Sequence, residues 1–471
     1  MNVHPLAQDE ASSSRNQLGL WDTISIITGI VVGVAIFRSP PLIFSNVSSL
    51  WIGMAIWVGG GLLSLVGACC YAELATTYLR SGGDYVYLTE TFGRLTGFLF
   101  GWAQLVGIRT GVIGATAYVF ADYAVAMFGL NPDFAVWFAL AAVLWLTVAN
   151  ILGLVLGKMT QNLLTLAKLT GLVVLVATGL ALGSAPESFT TSQPTTGPGF
   201  GLAMVLVLYA YGGWNDAALV TSEVHQPQRN MPRALFVGIG IVTLCYLAVN
   251  LAYLWVLGFE GLRQATAPAA DVLRLGLGEW GFRGMSLLVM VSALGAVNGM
   301  ILTGSRVYSE MGREYVMFRR LGHWNSRFGT PVWSLVAQAG FALLWITLVG
   351  TALGRDVVDG MLALIGWGGL AWEKYQGGFG TLVAATAPVF WFFFLLTGLS
   401  LFVSRARAKT AERPFSVPWY PLVPIVFCGM CVYMLHASIV YASQLALLGS
   451  VPVLLGIPAY WFSRRNTDSI E

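Results

Sequence analysis

Charge is what this sequence has least of. Of its 471 residues only 10% are Asp, Glu, Lys or Arg, against about 25% in a soluble domain. A chain of this length with so few charges cannot cover a water-facing surface. That excludes an ordinary cytosolic enzyme and a disordered protein. The formal net charge of +3 is too small to attract a polyanion, so no nucleic acid partner is expected. Cysteine is scarce, and five residues do not make a disulfide scaffold. Histidine is scarcer still: His4, His225, His323 and His436 lack neighbours at metal-ligand spacing. Cys428 and Cys431 form a single C-x-x-C inside an apolar run, which reads as packing rather than a metal or redox site. There is no Walker A motif, which excludes a pump with its own ATPase. The inventory therefore points away from an enzyme and calls for no metal and no cofactor.

What the sequence has is apolar length. Hydrophobic residues make up 56%, with 55 Gly and 17 Trp, and the mean hydropathy is +0.73. That is the composition of an all-α polytopic membrane protein, with the lipid bilayer as its solvent. Apolar runs of about 20 residues span a bilayer as helices. Twelve are predicted, at roughly 21–44, 50–72, 95–127, 134–154, 161–183, 201–222, 233–258, 281–308, 331–351, 380–403, 419–442 and 445–463. The two-residue alternation of a membrane β-barrel does not occur. Residues 1–18 are polar without an apolar core, and read as a tail rather than a cleaved signal.

Basic residues set the orientation. With a cytoplasmic N-terminus, seventeen Arg and Lys fall in inside segments and six outside. Both termini are therefore expected in the cytoplasm of a cell membrane, plasma or bacterial inner. Residues 352–379 interrupt the pattern on the outer side. Their apolar stretch near Met361–Trp372 is too short to span, leaving an interfacial or re-entrant helix, or a long loop.

A substrate site at membrane depth needs backbone groups released from helical bonding. Two tracts offer this. The first predicted span holds Gly29 and Gly33; the sixth holds Gly212 and Gly213, followed by Asn215 and Asp216. Gly29 and Gly33 alone could equally be packing residues. Their position changes the reading, because spans one and six correspond if spans 1–5 and 6–10 are inverted repeats. A broken helix offers N–H groups to an anion and carbonyls to a cation. A zwitterionic amino acid has both groups.

At this point the residues resemble a known family. Tyr71–Tyr87, YAELATTYLRSGGDYVY, resembles the second-span exit and first cytoplasmic loop of amino acid–polyamine–organocation (APC) transporters. AYGGWN at 210–215, running on to TSEVHQPQRNMPRAL, resembles the L-type amino acid transporter branch. So do Ile108-Arg109, TLAKL at 165–169, VNG at 297–299 and SR at 305–306. The likeness runs from about Trp21 to Pro414. It implies a LeuT-like fold of about 12 transmembrane helices: two inverted five-helix repeats plus two extra helices, with helices 1 and 6 broken. The implied division is a 1–18 tail, a first repeat over 19–183, a second over 201–404 containing the insertion, and 405–471 with the last two spans. It also implies alternating access.

The paired breaks and the family tracts together place backbone atoms of Val31, Gly33, Val34, Ala35, Tyr209 and Gly212 around one amino acid. The matching family positions imply a side-chain wall of Thr116, Tyr209, Asn215 and Met300, none of them charged. The family's GSGIF reads Gly33-Val34-Ala35-Ile36-Phe37 here, which removes a hydroxyl and adds bulk. Small or medium neutral substrates are therefore expected. The resemblance makes Lys168 a resident cation in place of sodium; a lysine reaching an interface is the alternative. L-type relatives join a heavy chain through a cysteine between spans three and four. The segment Gly129–Asp133 has none, so no disulfide-linked heavy chain is expected.

Other polar residues admit two roles. Arg109 reads as a structural ion pair or a vestibule lining, and Arg38 as a gate or interface residue. Glu73, Asp84 and Arg80 suggest a cytoplasmic clasp, and Glu223, Arg229 and Arg233 another. Asn298 is either a site residue or interhelical glue. The functional reading is a secondary amino acid transporter or exchanger. The alternative is a transporter-like receptor that binds without translocating. A channel would need rings of acidic residues or a repeated filter loop, and neither occurs.

Overall fold

A computed structural model describes residues 19–78, 82–152, 158–182, 199–216, 224–375, 377–407 and 413–465, with side chains except at 26, 158–165, 464 and 465. Among the described residues the chain is helical, with an isolated bridge between Asn325 and Thr330. Helices α1 (Leu20–Val31) and α2 (Ala35–Ser45) form a pair bent by 50°. α3 (Leu50–Thr77) and the short α4 (Asp84–Phe92) lead to α5 (Arg94–Ala103). This continues through a π-turn, Gln104–Ile108, into α6 (Arg109–Phe128). α7 (Ala135–Ile151), α8 (Lys158–Leu182) and α9 (Phe200–Ala210) follow. The second half holds α10 (Pro227–Gln264), α11 (Pro268–Glu314), α12 (Val332–Gly350), α13 (Ala352–Leu364) and α14 (Gly377–Arg407). It ends with α15 (Leu422–Tyr441), α16 (Ser443–Leu454) and α17 (Gly456–Arg465).

Among the described residues nine helices are long and apolar enough to cross a membrane, and the bent α1–α2 pair makes a tenth. They match ten of the twelve expected spans. α8, apolar over Leu166–Leu182, and α9 stand where the fifth and sixth were expected but are shorter than a crossing by that measure. Their neighbours 153–157, 183–198 and 217–223 lie outside the described residues. α10 and α11 are longer than their expected spans because each joins a second helix across a glycine, Gly258 and Gly278 respectively.

The helices pack in a pattern that repeats itself. α3 packs on α10, α6 on α11, and α2 on α9. α6 packs on α14 as α11 packs on α8. Exchanging the first five spans with the second five maps α6–α14 onto α11–α8 and each of the other three pairings onto itself. Small residues make the close approaches, as between membrane helices generally. A Cβ on Gly60 of α3 would meet Val207 of α9 at 2.3 Å, and one on Gly61 would meet Thr243 of α10 at 2.5 Å.

Within the 352–379 insertion a helix covers Ala352–Leu364, and the rest of the apolar stretch near Met361–Trp372 runs on mostly as a loop. Thr351 caps α13 by accepting from the Gly354 N–H at 2.9 Å. Asp359 then accepts from Leu370 N at 2.8 Å and Trp372 Nε1 at 3.1 Å, folding the following loop back. Val358 and Leu362 are buried with Tyr375 and Ala384, while Leu353 and Leu364 face outward.

Candidate functional site

The first break is built by sequence in two steps. Val32, at φ −69° and ψ 66°, ends α1, and α2 begins at Ala35. The N–H groups of a helix's first turn have no acceptor within the helix, so Ala35 and Ile36 present donors at the break. Further along α2, Pro40 and Pro41 have no N–H to give. They release the carbonyls of Ile36 and Phe37, four residues earlier. Two tyrosines from other helices take these up: Tyr253 of α10 donates to Ile36 O at 3.4 Å, and Tyr123 of α6 to Phe37 O at 3.0 Å. The pair of prolines thus marks carbonyls freed within α2, a signal that composition and glycine spacing do not carry.

The second break is the end of α9 after Ala210; residues 217–223, where the sixth span was expected to resume, lie outside the described residues. Tyr211 to Gly213 make a turn, and Gly213 adopts φ 103°, a conformation that costs a residue with a Cβ. A Cβ there would also lie 2.8 Å from Ile30 Cγ2 of α1, so the two breaks touch. Tyr246 of α10 joins them directly. Its hydroxyl lies 2.6 Å from Val31 O and 2.9 Å from Ala210 O, the last carbonyls of α1 and α9. Its ring is clamped edge-on between Trp57 and Tyr211, at 5.3 and 5.1 Å.

The residues expected to bind substrate fall into three groups. Val31, Gly33, Val34 and Ala35 line the first break, and Tyr209 and Gly212 the second. Val31, Val34 and Ala35 are buried. The Tyr209 hydroxyl is hydrogen-bonded to Thr116 of α6, and its ring meets Phe379 of α14 edge-on at 5.8 Å. Asn215 follows this turn, half-buried, with its side chain hydrogen-bonded to Asp84 of α4. Met300 is half-buried on α11 and packs on the main core.

Lys168 is buried at 5% exposure. It shares a helix face with Leu172 and Leu175, both buried, and with Gly171, whose Cα is packed against Leu288 of α11. That face points into the bundle, which disfavours the reading of a lysine reaching an interface. Asn298 accepts from Asn150 of α7 at 2.6 Å, the interhelical glue among its two readings.

The charged residues are tied to the breaks from both sides. Arg38 of α2 pairs with Asp122 of α6 at 3.2 Å, and Arg109 of α6 pairs with Asp216, just past the second break, at 3.1 Å. Asp122 has no motif around it, and nothing in the sequence marks it as Arg38's partner. The expected clasp is present with other partners. The buried Glu73 carboxylate takes Arg405 Nε at 2.7 Å, Arg413 Nε at 3.4 Å and the Val417 N–H at 2.7 Å. Asp84 instead accepts from the hydroxyls of Tyr71 and of Thr397, the latter at 2.9 Å. Burial pushes the Asp84 carboxyl, between the second and third spans, up to about 6. Arg80 and Glu223 lie outside the described residues.

Comparison with known proteins agrees with this geometry. The family model described as amino acid permease matches residues 18–462. The chain belongs to that family. This permease is 31% identical over 443 residues to the b(0,+)-type amino acid transporter 1 of Mus musculus, covering 92% of this chain and 84% of the relative. It is 27% identical over 466 residues to the serine/threonine exchanger SteT of Bacillus subtilis (strain 168), covering 98% and 99%. It is 26% identical over 469 residues to the cystine/glutamate transporter of Homo sapiens, covering 98% and 87%. These relatives are transporters, and the permease is a multi-pass membrane protein of the APC type rather than an enzyme.

Proposed function

We propose that this permease is an exchanger of neutral amino acids that works without sodium, by alternating access. The observation that carries the reading is the meeting of the α1–α2 bend with the end of α9. α1 and α9 end at carbonyls bridged by one phenol, and α2 begins with unpaired donors beside them. Carbonyls suit an ammonium and N–H groups suit a carboxylate. Backbone atoms of Val31, Gly33, Val34, Ala35, Tyr209 and Gly212 would hold that zwitterion, and Thr116, Tyr209 and Met300 its side chain.

The neutral preference rests on charge accounting. Arg38 is engaged by Asp122, and Arg109 by Asp216. A charged substrate side chain would then be buried without a partner, at a cost of several kcal/mol. Lys168 on the inward face of α8 supports a resident cation. The self-mapping helix pairs support inverted repeats over 19–183 and 201–404, and the bias of Arg and Lys between the two sides supports cytoplasmic termini in the cell membrane. All five cysteines lie inside helices α3, α10 and α15 and none in the loop between the third and fourth spans, the position through which L-type relatives join a heavy chain.

Proteoliposome uptake of the twenty amino acids, each with and without sodium, tests the reading. Counterflow of Ala, Ser or Val, unchanged when choline replaces sodium, is the expected result. Binding with no exchange would favour a receptor instead. Inhibition by Glu or Lys with none by Ser or Val would overturn the neutral assignment.

A further inference from the structure

A cavity of about 190 Å³ stands apart from the break. It has room for roughly six waters at the 30 Å³ each takes in the liquid. Its walls are the outer halves of both broken helices, through Leu42 of α2 and Leu206 of α9, and the facing residues Val383 and Ala384 of α14. α15 closes the fourth side with Ser438 and Tyr441. The walls carry no charge. The rim carries both signs side by side, in Glu373 and Lys374 of the turn before α14.

The rim is held in place rather than left loose. Lys374 donates to Tyr441 O at 2.6 Å, and its ammonium lies 4.8 Å from the Tyr441 ring centroid. An ammonium has three protons, so two remain for a ligand. Glu373 is exposed beside it. A molecule bearing a carboxylate and an ammonium on one carbon, with an apolar tail, matches this layout: the head groups meet the rim and the tail enters the uncharged shaft. A charged tail would be left unpaired among leucine, valine and alanine.

We infer that this cavity is a second, outer binding site for a neutral amino acid, distinct from the one at the helix breaks. The inference rests on the proposed function for its ligand class. Because α2 and α9 form one wall, an occupant is wedged between the outer halves of the broken helices and α14. Occupancy therefore bears on how those halves move.

Equilibrium binding of labelled L-valine to the permease in lipid nanodiscs tests it. Two molecules per chain are expected in the wild type. One is expected in the double variant Glu373→Gln, Lys374→Gln, whose changes lie on the exposed rim, and one in Ala384→Trp, which fills the shaft. One molecule per chain in the wild type and in the double variant overturns the second site and leaves the proposed function standing. Two molecules in all three proteins also overturn it, since the extra valine then sits elsewhere. Loss in Ala384→Trp alone overturns the zwitterion chemistry of the rim. Failure of the wild type to bind any valine overturns the functional reading itself.

Discussion

Arg109 Nη1 lies 3.1 Å from Asp216 Oδ2, joining the start of α6 to the chain just past the second helix break. Asp122, on the same helix and roughly 20 Å further along at 1.5 Å per residue, holds Arg38 of α2 in the same way. α6 thus grips both broken spans, one on each side of the site. The Arg109–Asp216 pair retains some solvent access, with side-chain exposures of 14% and 26%. Breaking it should cost about 1–3 kcal/mol, less than the 3–5 kcal/mol of a fully buried pair. Arg109→Ala should lower exchange by ten-fold or more, since about 1.4 kcal/mol is a factor of ten. Arg109→Ala with Asp216→Ala should recover part of the loss, because neither charge is then stranded. Counterflow rates across the double-mutant cycle measure this coupling, and additive losses would remove the pair from the mechanism.

Tyr246 is the sharper test of the site's architecture. One phenolic proton serves the last carbonyls of α1 and α9. Tyr246→Phe keeps the ring against Trp57 and Tyr211 and removes only the hydroxyl. Leaving buried carbonyls without a donor costs roughly 1–3 kcal/mol. Exchange should fall by about an order of magnitude while the protein still inserts and stays monodisperse. An unchanged rate would mean that the two breaks do not need to be tied.

How much of this was legible in the sequence differs by residue. Hydropathy located every crossing that the structure has, because bilayer thickness sets helix length. Gly212 and Gly213 announced the second break because a turn at φ 103° needs glycine. Pro40 and Pro41 mark the carbonyls freed further along α2. Tyr123, Tyr246 and Tyr253 could not be read at all. A tyrosine in an apolar run looks alike whether it packs or caps a carbonyl, and which carbonyl it reaches depends on helices far apart in the chain. The same holds for Glu73, whose partners Arg405 and Arg413 lie more than three hundred residues away. The contact of Asn215 with Asp84, more than a hundred residues away, was hidden in the same way.

Asp84 gives a prediction with a pH sign. Its carboxyl is raised from 3.8 to about 6, first by desolvation, with Asp216 adding to the rise and the Tyr71, Thr397 and Asn215 hydrogen bonds opposing it. Tyr87 faces it too, without charge at neutral pH. A carboxyl raised in the folded state destabilises that state once it ionises. Its favourable contribution is present below the unfolded value and is lost as pH rises through about 6. Tyr71 and Thr397 both donate to Oδ1, and an asparagine oxygen can accept both without the charge. The melting temperature of the wild type should therefore fall relative to Asp84→Asn between pH 5 and pH 7.5. A difference that stays flat over that range, or grows in the opposite direction, would show that Asp84 is ionised at a normal value.

Lys168 separates a structural lysine from a working one. An ammonium at the centre of a membrane helix costs roughly 2.5–3.5 kcal/mol on insertion scales. Lys168→Ala removes that cost, so a lysine held only by packing should lose nothing but contact area when replaced. A resident cation should instead be missed by the transport cycle: exchange should fall at least ten-fold while the melting temperature stays within a few degrees of wild type. Lys168→Met keeps most of the apolar stem and loses only the charge, so it should match alanine in transport and wild type in stability. The sodium dependence completes the argument. Wild-type exchange should be the same in sodium and in choline, because the positive charge is already part of α8. Collapse of wild-type uptake in choline at constant pH would mean that a sodium ion is needed, and that Lys168 does not stand in for it.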